Sequence, residues 1–157
     1  MKLEGSCHCG RISFTVESKT PYPYRRCYCV RCRKTNGGSG YAINVMGEAE
    51  TLYVEGQEHL RIYQPVDEPL ESYFCENCGS HLYVVLPDWP QWVYPFASAI
   101  DTSLPSPPEI FNIFLDEAVD WSEVSEGDKH HIFRQNTEES IQMWHQRLGL
   151  IVPEIGR

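Results

Sequence analysis

Short stretches in which apolar and polar residues alternate recur along the chain and indicate β-strands. The clearest spans residues 11–16, where Ile12, Phe14 and Val16 share one face and the polar residues between them share the other. Further short apolar runs are bounded by Gly, Pro, Asn or Asp, which favour turns. These runs cover residues 41–46, 51–54, 60–63, 72–74, 81–86, 92–97 and 109–115. The pattern predicts a mainly β fold of short strands.

The C-terminal part predicts one α-helix, at about residues 137–148. Asn136 followed three positions later by Glu139 is typical of a capping box, and Gly149 is a suitable residue to end the helix. We expect this helix to pack on the sheet, because its apolar residues recur at helical spacing. The apolar face would consist of Ile141, Trp144 and Leu148.

Length and charge limit the kinds of protein this chain can be. With 157 residues, of which 41% are hydrophobic, residues 1–157 are expected to form a single domain with its own core. The net charge of −9 argues against a nucleic-acid partner, since binding to phosphates needs a basic surface. The chain has no run of about 18 apolar residues and its start does not resemble a signal peptide. We therefore expect a cytoplasmic protein that does not associate with membranes.

Three cysteines, Cys27, Cys29 and Cys32, lie within six residues of one another. Zinc prefers four tetrahedral ligands, and a catalytic zinc site usually has three protein ligands and one open position. We call these residues the cysteine triad. Their number favours a catalytic zinc site.

The other four cysteines form two pairs, Cys7 with Cys9 and Cys75 with Cys78. In an extended segment the sulfurs of Cys7 and Cys9 would point to the same side, with His8 pointing away. Cys75 and Cys78 have the spacing of a zinc knuckle and are followed by a glycine. Together the two pairs predict a structural zinc site in which all four ligands are cysteines. With the zinc at the cysteine triad, this makes two zinc ions per chain.

Other uses of the cysteines remain possible at this stage. In one alternative, Cys7 and Cys9 share a metal with two members of the cysteine triad. In two others, the thiols form disulfides or serve as small buried apolar groups. A thiol redox enzyme would need a cysteine triad free of metal.

Basic residues surround the cysteine triad. Five of the 13 in the chain lie between positions 25 and 34, and a glycine-rich segment follows at residues 37–40. Such residues either attract an anionic substrate or offset the thiolates and nearby carboxylates. Because thiolates weaken the Lewis acidity of zinc, we favour binding of an anionic thiol over hydrolysis by zinc-bound water.

Three motifs occur in the order typical of one family. They are residues 5–10, the cysteine triad with Arg33, and residues 74–82. With looser similarity as far as Trp121, about residues 5–125 resemble the glutathione-dependent formaldehyde-activating enzyme family, also called the centromere-protein-V family. The resemblance implies a β-tent fold of short antiparallel strands with two zinc ions. The structural zinc would be held by Cys7, Cys9, Cys75 and Cys78, and the catalytic zinc by Cys27, Cys29 and Cys32.

The resemblance also implies the condensation of glutathione with formaldehyde to S-(hydroxymethyl)glutathione. We therefore predict a zinc-dependent carbon–sulfur lyase that acts on an adduct of glutathione, or a similar thiol, with formaldehyde or another small aldehyde. Arg31 and Arg33 are candidate contacts for the anionic thiol. The alternative is a non-catalytic zinc β module that binds a protein partner, in which a fourth protein ligand would close the triad.

Overall fold

The computed structural model describes residues 1–36 and 38–152, which form twelve β-strands in three sheets and two short α-helices. The predicted mainly β fold is therefore confirmed. The helices are α1 (Val30–Asn36) and α2 (Ile141–Arg147). In chain order the strands are β1 (Lys2–Ser6), β2 (Ser13–Glu17), β3 (Arg25–Cys27), β4 (Ala42–Ile43), β5 (Gly47–Glu48), β6 (Tyr53–Glu55), β7 (Leu60–Tyr63), β8 (Glu71–Cys75), β9 (His81–Val85), β10 (Trp92–Pro95), β11 (Ile110–Ile113) and β12 (His130–Ile132).

The three sheets have different strand orders. The first sheet has the order β1-β2-β6 and the second the order β5-β10-β9-β8-β7, and all of their pairings are antiparallel. The third sheet has the order β12-β11-β3-β4, in which β11 is parallel to both β3 and β12. The antiparallel arrangement expected from the resemblance therefore does not extend to these two pairings. They join strands distant in sequence, which no hairpin connects.

Buried side chains form two clusters. The larger contains residues of the first two sheets, such as Phe14 and Val93. The smaller contains residues of the third sheet together with Trp144 of α2, whose ring stacks on Tyr24 at a centroid distance of 3.8 Å. Cys27 packs against both clusters. The cysteine triad is thus held where the two clusters meet.

Helix α2 begins later than the sequence predicts. Ser140 caps it by accepting a hydrogen bond from the Met143 N–H at 3.1 Å, so the predicted capping box of Asn136 and Glu139 is wrong. The helix ends as expected, with Gly149 at φ +64°. The predicted apolar face is confirmed, because Ile141, Trp144 and Leu148 all pack in the smaller cluster.

The structure also contains a second helix, α1, that the sequence pattern does not predict. Cys32 is the only buried residue of α1, so this segment lacks the apolar stripe by which a surface helix is usually recognised. No helix within the described ranges is both long enough and apolar enough to cross a lipid bilayer.

Candidate metal centres

The four paired cysteines meet at one point. The Sγ atoms of Cys7, Cys9, Cys75 and Cys78 all lie within 4.8 Å of one another. Cys9 Sγ is 3.5 Å from Cys7 Sγ and 3.8 Å from Cys75 Sγ. Tetrahedral zinc with Zn–S bonds of about 2.3 Å would separate its sulfurs by about 3.8 Å. This four-cysteine cluster therefore has the spacing that a zinc ion needs.

Two glycine turns bring these sulfurs together. The Gly10 N–H donates to the Cys7 carbonyl at 3.0 Å, and the Gly79 N–H donates to the Cys75 carbonyl at 2.8 Å. Both glycines have φ +74°, which a residue with a Cβ rarely adopts. Cys7 and Cys9 therefore meet across a turn and not along the extended segment that we expected. His8 is not among the clustered ligands, as predicted.

The surroundings of the four-cysteine cluster favour negative charge on some of its sulfurs. Ser80 Oγ lies 3.3 Å from Cys78 Sγ, and hydrogen bonding to Ser80 lowers the pKa of Cys78 to about 5. The Ile12 N–H also donates to Cys7 Sγ at 3.3 Å. Burial raises the pKa of Cys75 to about 11. Thiolates packed this closely repel one another unless a cation lies between them.

The cysteine triad forms a second, separate group. Cys27 ends β3, Cys29 precedes α1 and Cys32 lies within it, and the three Sγ atoms are within 4.8 Å of one another. The Cys32 N–H donates to Cys29 Sγ at 3.4 Å. Glu117 fixes the start of α1, because its Oε2 accepts a hydrogen bond from the Val30 N–H at 2.8 Å. Elements distant in sequence thus hold the triad in place.

Without a cation, the three sulfurs favour a single negative charge. Hydrogen bonds from Cys27 and Cys32 lower the pKa of Cys29 to about 2. The hydrogen bond that Cys27 donates to the Cys29 thiolate raises the pKa of Cys27, and burial raises it further. A metal ion would allow the other two thiols to ionise as well.

The structure divides the cysteines into four and three, as the sequence predicts. All seven thiols are free, so no disulfide links the described cysteines. Sharing of a metal between Cys7, Cys9 and the triad does not match this grouping. Within residues 1–36 and 38–152, no His, Asp or Glu joins the triad as a fourth ligand. This weighs against the closed site that a non-catalytic module would require.

Two cavities border the triad. The first has a volume of about 420 Å³, reaches Cys29 and is here called the polar cavity because four charged side chains line it, those of Arg31, Lys34, Glu68 and Glu117. The second has a volume of about 210 Å³, reaches Cys27 and Cys32 and is here called the apolar cavity because half of its lining residues are apolar. These are Leu70, Val84, Leu86, Phe96, Ile113, Phe114 and Ile141, beside the polar Arg25, Arg31, Asn44, Tyr94 and Asn136. Arg31 and Phe114 line both. The triad therefore lies between two compartments.

Phe114 adopts an unusual backbone conformation between the two cavities. Its φ of 60° and ψ of 41° place it in the left-handed region, which costs a residue other than glycine about 1–2 kcal/mol. It is the only such residue in the described part of the chain. Strained residues often mark functional sites, and Phe114 lines both cavities that reach the triad.

The basic residues near the triad are distributed over several sites. Arg31 forms an ion pair with Glu68 and, with Lys34, lines the polar cavity. Arg25 lines the apolar cavity. Arg33 lines neither, but a third cavity of about 770 Å³ beside the four-cysteine cluster. Of the two predicted substrate contacts, the structure therefore brings only Arg31 to a cavity at the triad, and Arg33 stays a prediction.

The sequence carries no signal that places Glu68 or Phe114 at a site, and it identifies Ile141 only as part of the apolar face of the C-terminal helix. All three line the cavities from distant parts of the chain. Arg25 was counted only as a nearby charge, although one local signal was available. It precedes Cys27 by two positions, and residues i and i+2 of a strand share a face.

Comparisons with known proteins agree with this arrangement. The sequence profile of the glutathione-dependent formaldehyde-activating enzyme family matches residues 2–117. A protein of Halomonas elongata, provisionally named a glutathione-dependent formaldehyde-activating enzyme, is 51% identical over 154 residues, which cover 96% of this chain and 98% of the relative. The crystal structure of a Rhodobacter sphaeroides protein is similar with a TM-score of 0.53 and 27% identity, over 65% of this chain and 91% of the other. This chain therefore belongs to the glutathione-dependent formaldehyde-activating enzyme family.

Proposed function

We propose that this protein is a cytoplasmic, zinc-dependent carbon–sulfur lyase that acts on adducts of glutathione with a small aldehyde. The main support is the cysteine triad, whose three sulfurs converge without a fourth ligand among the described residues and lie between two cavities. Family membership supports glutathione and formaldehyde as reactants. A reducing compartment would keep the seven thiols free to bind metal.

The sulfur atoms fit zinc in type and in spacing. Thiolates are preferred zinc ligands, and sulfurs within 4.8 Å of one another can share one tetrahedral ion. We assign the catalytic zinc to Cys27, Cys29 and Cys32, and the structural zinc to the four-cysteine cluster. When bound at the triad, zinc would lower the pKa of a reactant thiol that takes the fourth position.

The polar cavity suits a charged tripeptide thiol. Glutathione carries two carboxylates and one ammonium group at neutral pH. Lys34 offers a cation for one carboxylate. Arg31 and Glu68, which are paired with each other in this structure, offer a second cation for the other carboxylate and a carboxylate for the ammonium group. Because the cavity reaches Cys29, a peptide bound there would have its thiol close to the triad.

The reaction needs one new bond and the transfer of one proton. The thiol sulfur bonds to the carbonyl carbon, and the carbonyl oxygen takes up the proton that the thiol loses. The reverse reaction breaks the same carbon–sulfur bond and returns the proton to sulfur. The two cavities would hold the thiol and the aldehyde next to each other, which favours the bimolecular step.

Exchange spectroscopy by nuclear magnetic resonance tests this function. We expect the zinc-loaded protein, at catalytic amounts, to accelerate the exchange between free glutathione, formaldehyde and their adduct. Arg31→Gln should lower kcat/KM about 10-fold to 100-fold, because a hydrogen bond between charged groups contributes about 1.5–3 kcal/mol. Arg134→Gln is the matched control, because Arg134 also forms an ion pair, with Asp116, but lines none of the three cavities. Failure of the zinc-loaded protein to accelerate exchange would contradict the proposal.

A further inference from the structure

The apolar cavity is larger than formaldehyde requires. Its volume is about 210 Å³. A cavity of about 150 Å³ lined by Leu, Ile and Phe binds benzene. Formaldehyde has only two atoms other than hydrogen, so it would leave most of this space unfilled.

The walls of the apolar cavity favour a hydrocarbon group. Val84 of β9, Ile113 of β11 and Phe96 line it with side chains that are at most 8% exposed. Ile141 of α2 adds a further apolar side chain, while five polar side chains complete the lining, those of Arg25, Arg31, Asn44, Tyr94 and Asn136. No carboxylate lines the cavity, so the ammonium group of glutathione would be unpaired there, whereas a hydrocarbon chain against the apolar wall would be removed from water.

One polar group of the apolar cavity has an unused donor. Arg25 Nη2 donates a hydrogen bond to Asn136 Oδ1, but the buried Arg25 Nε has no hydrogen-bond partner among the described residues. Buried donors without a partner are rare, and each calls for an explanation. Since Arg25 and Cys27 lie at i and i+2 of β3, this donor is available to an oxygen atom close to the triad.

We propose that the apolar cavity binds the hydrocarbon substituent of the aldehyde, and that the preferred substrate is the adduct of glutathione with an apolar aldehyde of about four to six carbons. This inference rests on the proposed function and specifies its substrate. The thiol sulfur bonds to the aldehyde carbon, and the aldehyde oxygen takes up the thiol proton beside Arg25. The substituent stays unchanged in the cavity, and no oxidation or reduction takes place.

Calorimetry with S-alkylglutathiones, which resemble the adduct, tests the inference on the full, metal-loaded chain. Burial of one methylene contributes about 0.8 kcal/mol, or about a fourfold gain in affinity. We therefore expect S-hexylglutathione to bind more than tenfold more tightly than S-methylglutathione. Equal affinity of the two ligands would overturn the inference and leave the proposed function intact.

A pair of leucine variants locates the effect. Leu86 is half-buried and lines the apolar cavity, whereas Leu52 is half-buried but lines none of the three cavities. Leu86→Phe should abolish the gain in affinity from S-methylglutathione to S-hexylglutathione. Leu52→Phe should retain the higher affinity for S-hexylglutathione. Loss of this difference in affinity in both variants would overturn the assignment to the apolar cavity.

A thiol-free probe separates failure of the inference from failure of the proposed function. We expect 1-hexanol, but not methanol, to shift the methyl resonances of Leu86 and Ile113. If no glutathione derivative binds and 1-hexanol still shifts them, the glutathione part of the proposed function fails and the cavity assignment is supported. If 1-hexanol has no effect either, the inference is overturned.

Discussion

Cys29 and Cys78 both have a lowered pKa, but they differ in how much of the fold depends on them. Cys29 lies in a short connection between β3 and α1, whose position is also fixed by β11 and by Glu117. Cys78 belongs to the four-cysteine cluster, in which Cys9 and Cys75 are 66 positions apart in sequence. Replacement of Cys29 and replacement of Cys78 should therefore have different effects on the stability of the fold.

We expect Cys29→Ser to lower the metal content from about two ions to about one and to leave the unfolding midpoint nearly unchanged. Cys78→Ser should lower the free energy of unfolding by several kcal/mol, because structural zinc contributes about 10–16 kcal/mol in small zinc peptides. Elemental analysis and denaturant unfolding of the purified variants measure both effects. A Cys78→Ser protein as stable as the parent would contradict the structural role of the cluster.

Arg25 is expected to contribute directly to substrate binding. A charge-assisted hydrogen bond contributes about 1.5–3 kcal/mol, so Arg25→Leu should lower kcat/KM for adduct formation about 10-fold to 100-fold. Arg26→Leu is the matched control, because Arg26 lies over the Tyr41 ring, 5.0 Å from its centroid, and lines neither cavity at the triad. Metal content and circular dichroism should stay unchanged in both variants. Equal losses of kcat/KM would show that Arg25 has no specific role.

The two groups of cysteines were predictable from sequence because the spacing within each pair and within the triad is local. Cys75 and Cys78 can meet across one turn wherever that turn lies in the fold. The triad needs only the six residues from Cys27 to Cys32. The walls of the cavities were not predictable in this way, because they come from segments as distant as Arg25 and Ile141.

Among the elements, β2 has a clear alternation that predicts it from sequence, whereas β3 and α1 have none. Strand β2 has two buried apolar residues separated by a half-buried one, which is the period of a strand. Strand β3 has three half-buried residues and α1 has one buried residue, so neither shows a period. Both are positioned by contacts with β11 and with the loop after it. Tertiary contacts therefore decide the structure at the triad.

Helix α2 contains a buried histidine, His145, whose surroundings favour the neutral imidazole. His145 Nδ1 donates to the Ile141 carbonyl at 2.7 Å, and its buried Nε2 has no partner in the described structure. The ring packs against Trp144 at a centroid distance of 4.8 Å and against Tyr22 at 5.6 Å. Burial lowers the pKa of His145 below the ordinary value. Protonation would place a charge in an aromatic cluster.

Acid should therefore destabilise α2 through His145. The unfolded chain binds a proton near pH 6.5 and the folded chain only at lower pH, so this contribution to stability is present above pH 6.5 and is lost as pH falls through the folded pKa. We expect the free energy of unfolding to fall by at most about 1.4 kcal/mol per pH unit from this group.

His145→Gln, which retains an N–H donor, should have a smaller slope between about pH 7 and 5. Denaturant unfolding over that range measures the slopes. Burial also lowers the pKa of His81 and His130, so only the difference between the two proteins reports on His145. Equal slopes would contradict this prediction.

In the whole molecule the two candidate metal centres have different positions relative to the buried clusters. The four-cysteine cluster joins the turn after β1 to the turn between β8 and β9, and so links the first sheet to the second. The cysteine triad lies where the third sheet and α1 meet the rest of the core. One candidate centre therefore joins two sheets, while the other borders two cavities.

Gradual removal of zinc should reveal this difference in two steps. Three thiolates with an open position bind zinc less tightly than four, so a chelator should remove the zinc at the triad first. We expect the loss of the first ion to abolish the binding of glutathione while the circular dichroism stays unchanged. Loss of the second ion should unfold the chain, because the free energy of metal binding at a structural site contributes to folding. Elemental analysis, calorimetry and circular dichroism along one chelator titration measure all three quantities. Unfolding that accompanies the first ion, or glutathione binding that persists until the second is lost, would contradict the assignment of roles to the two centres.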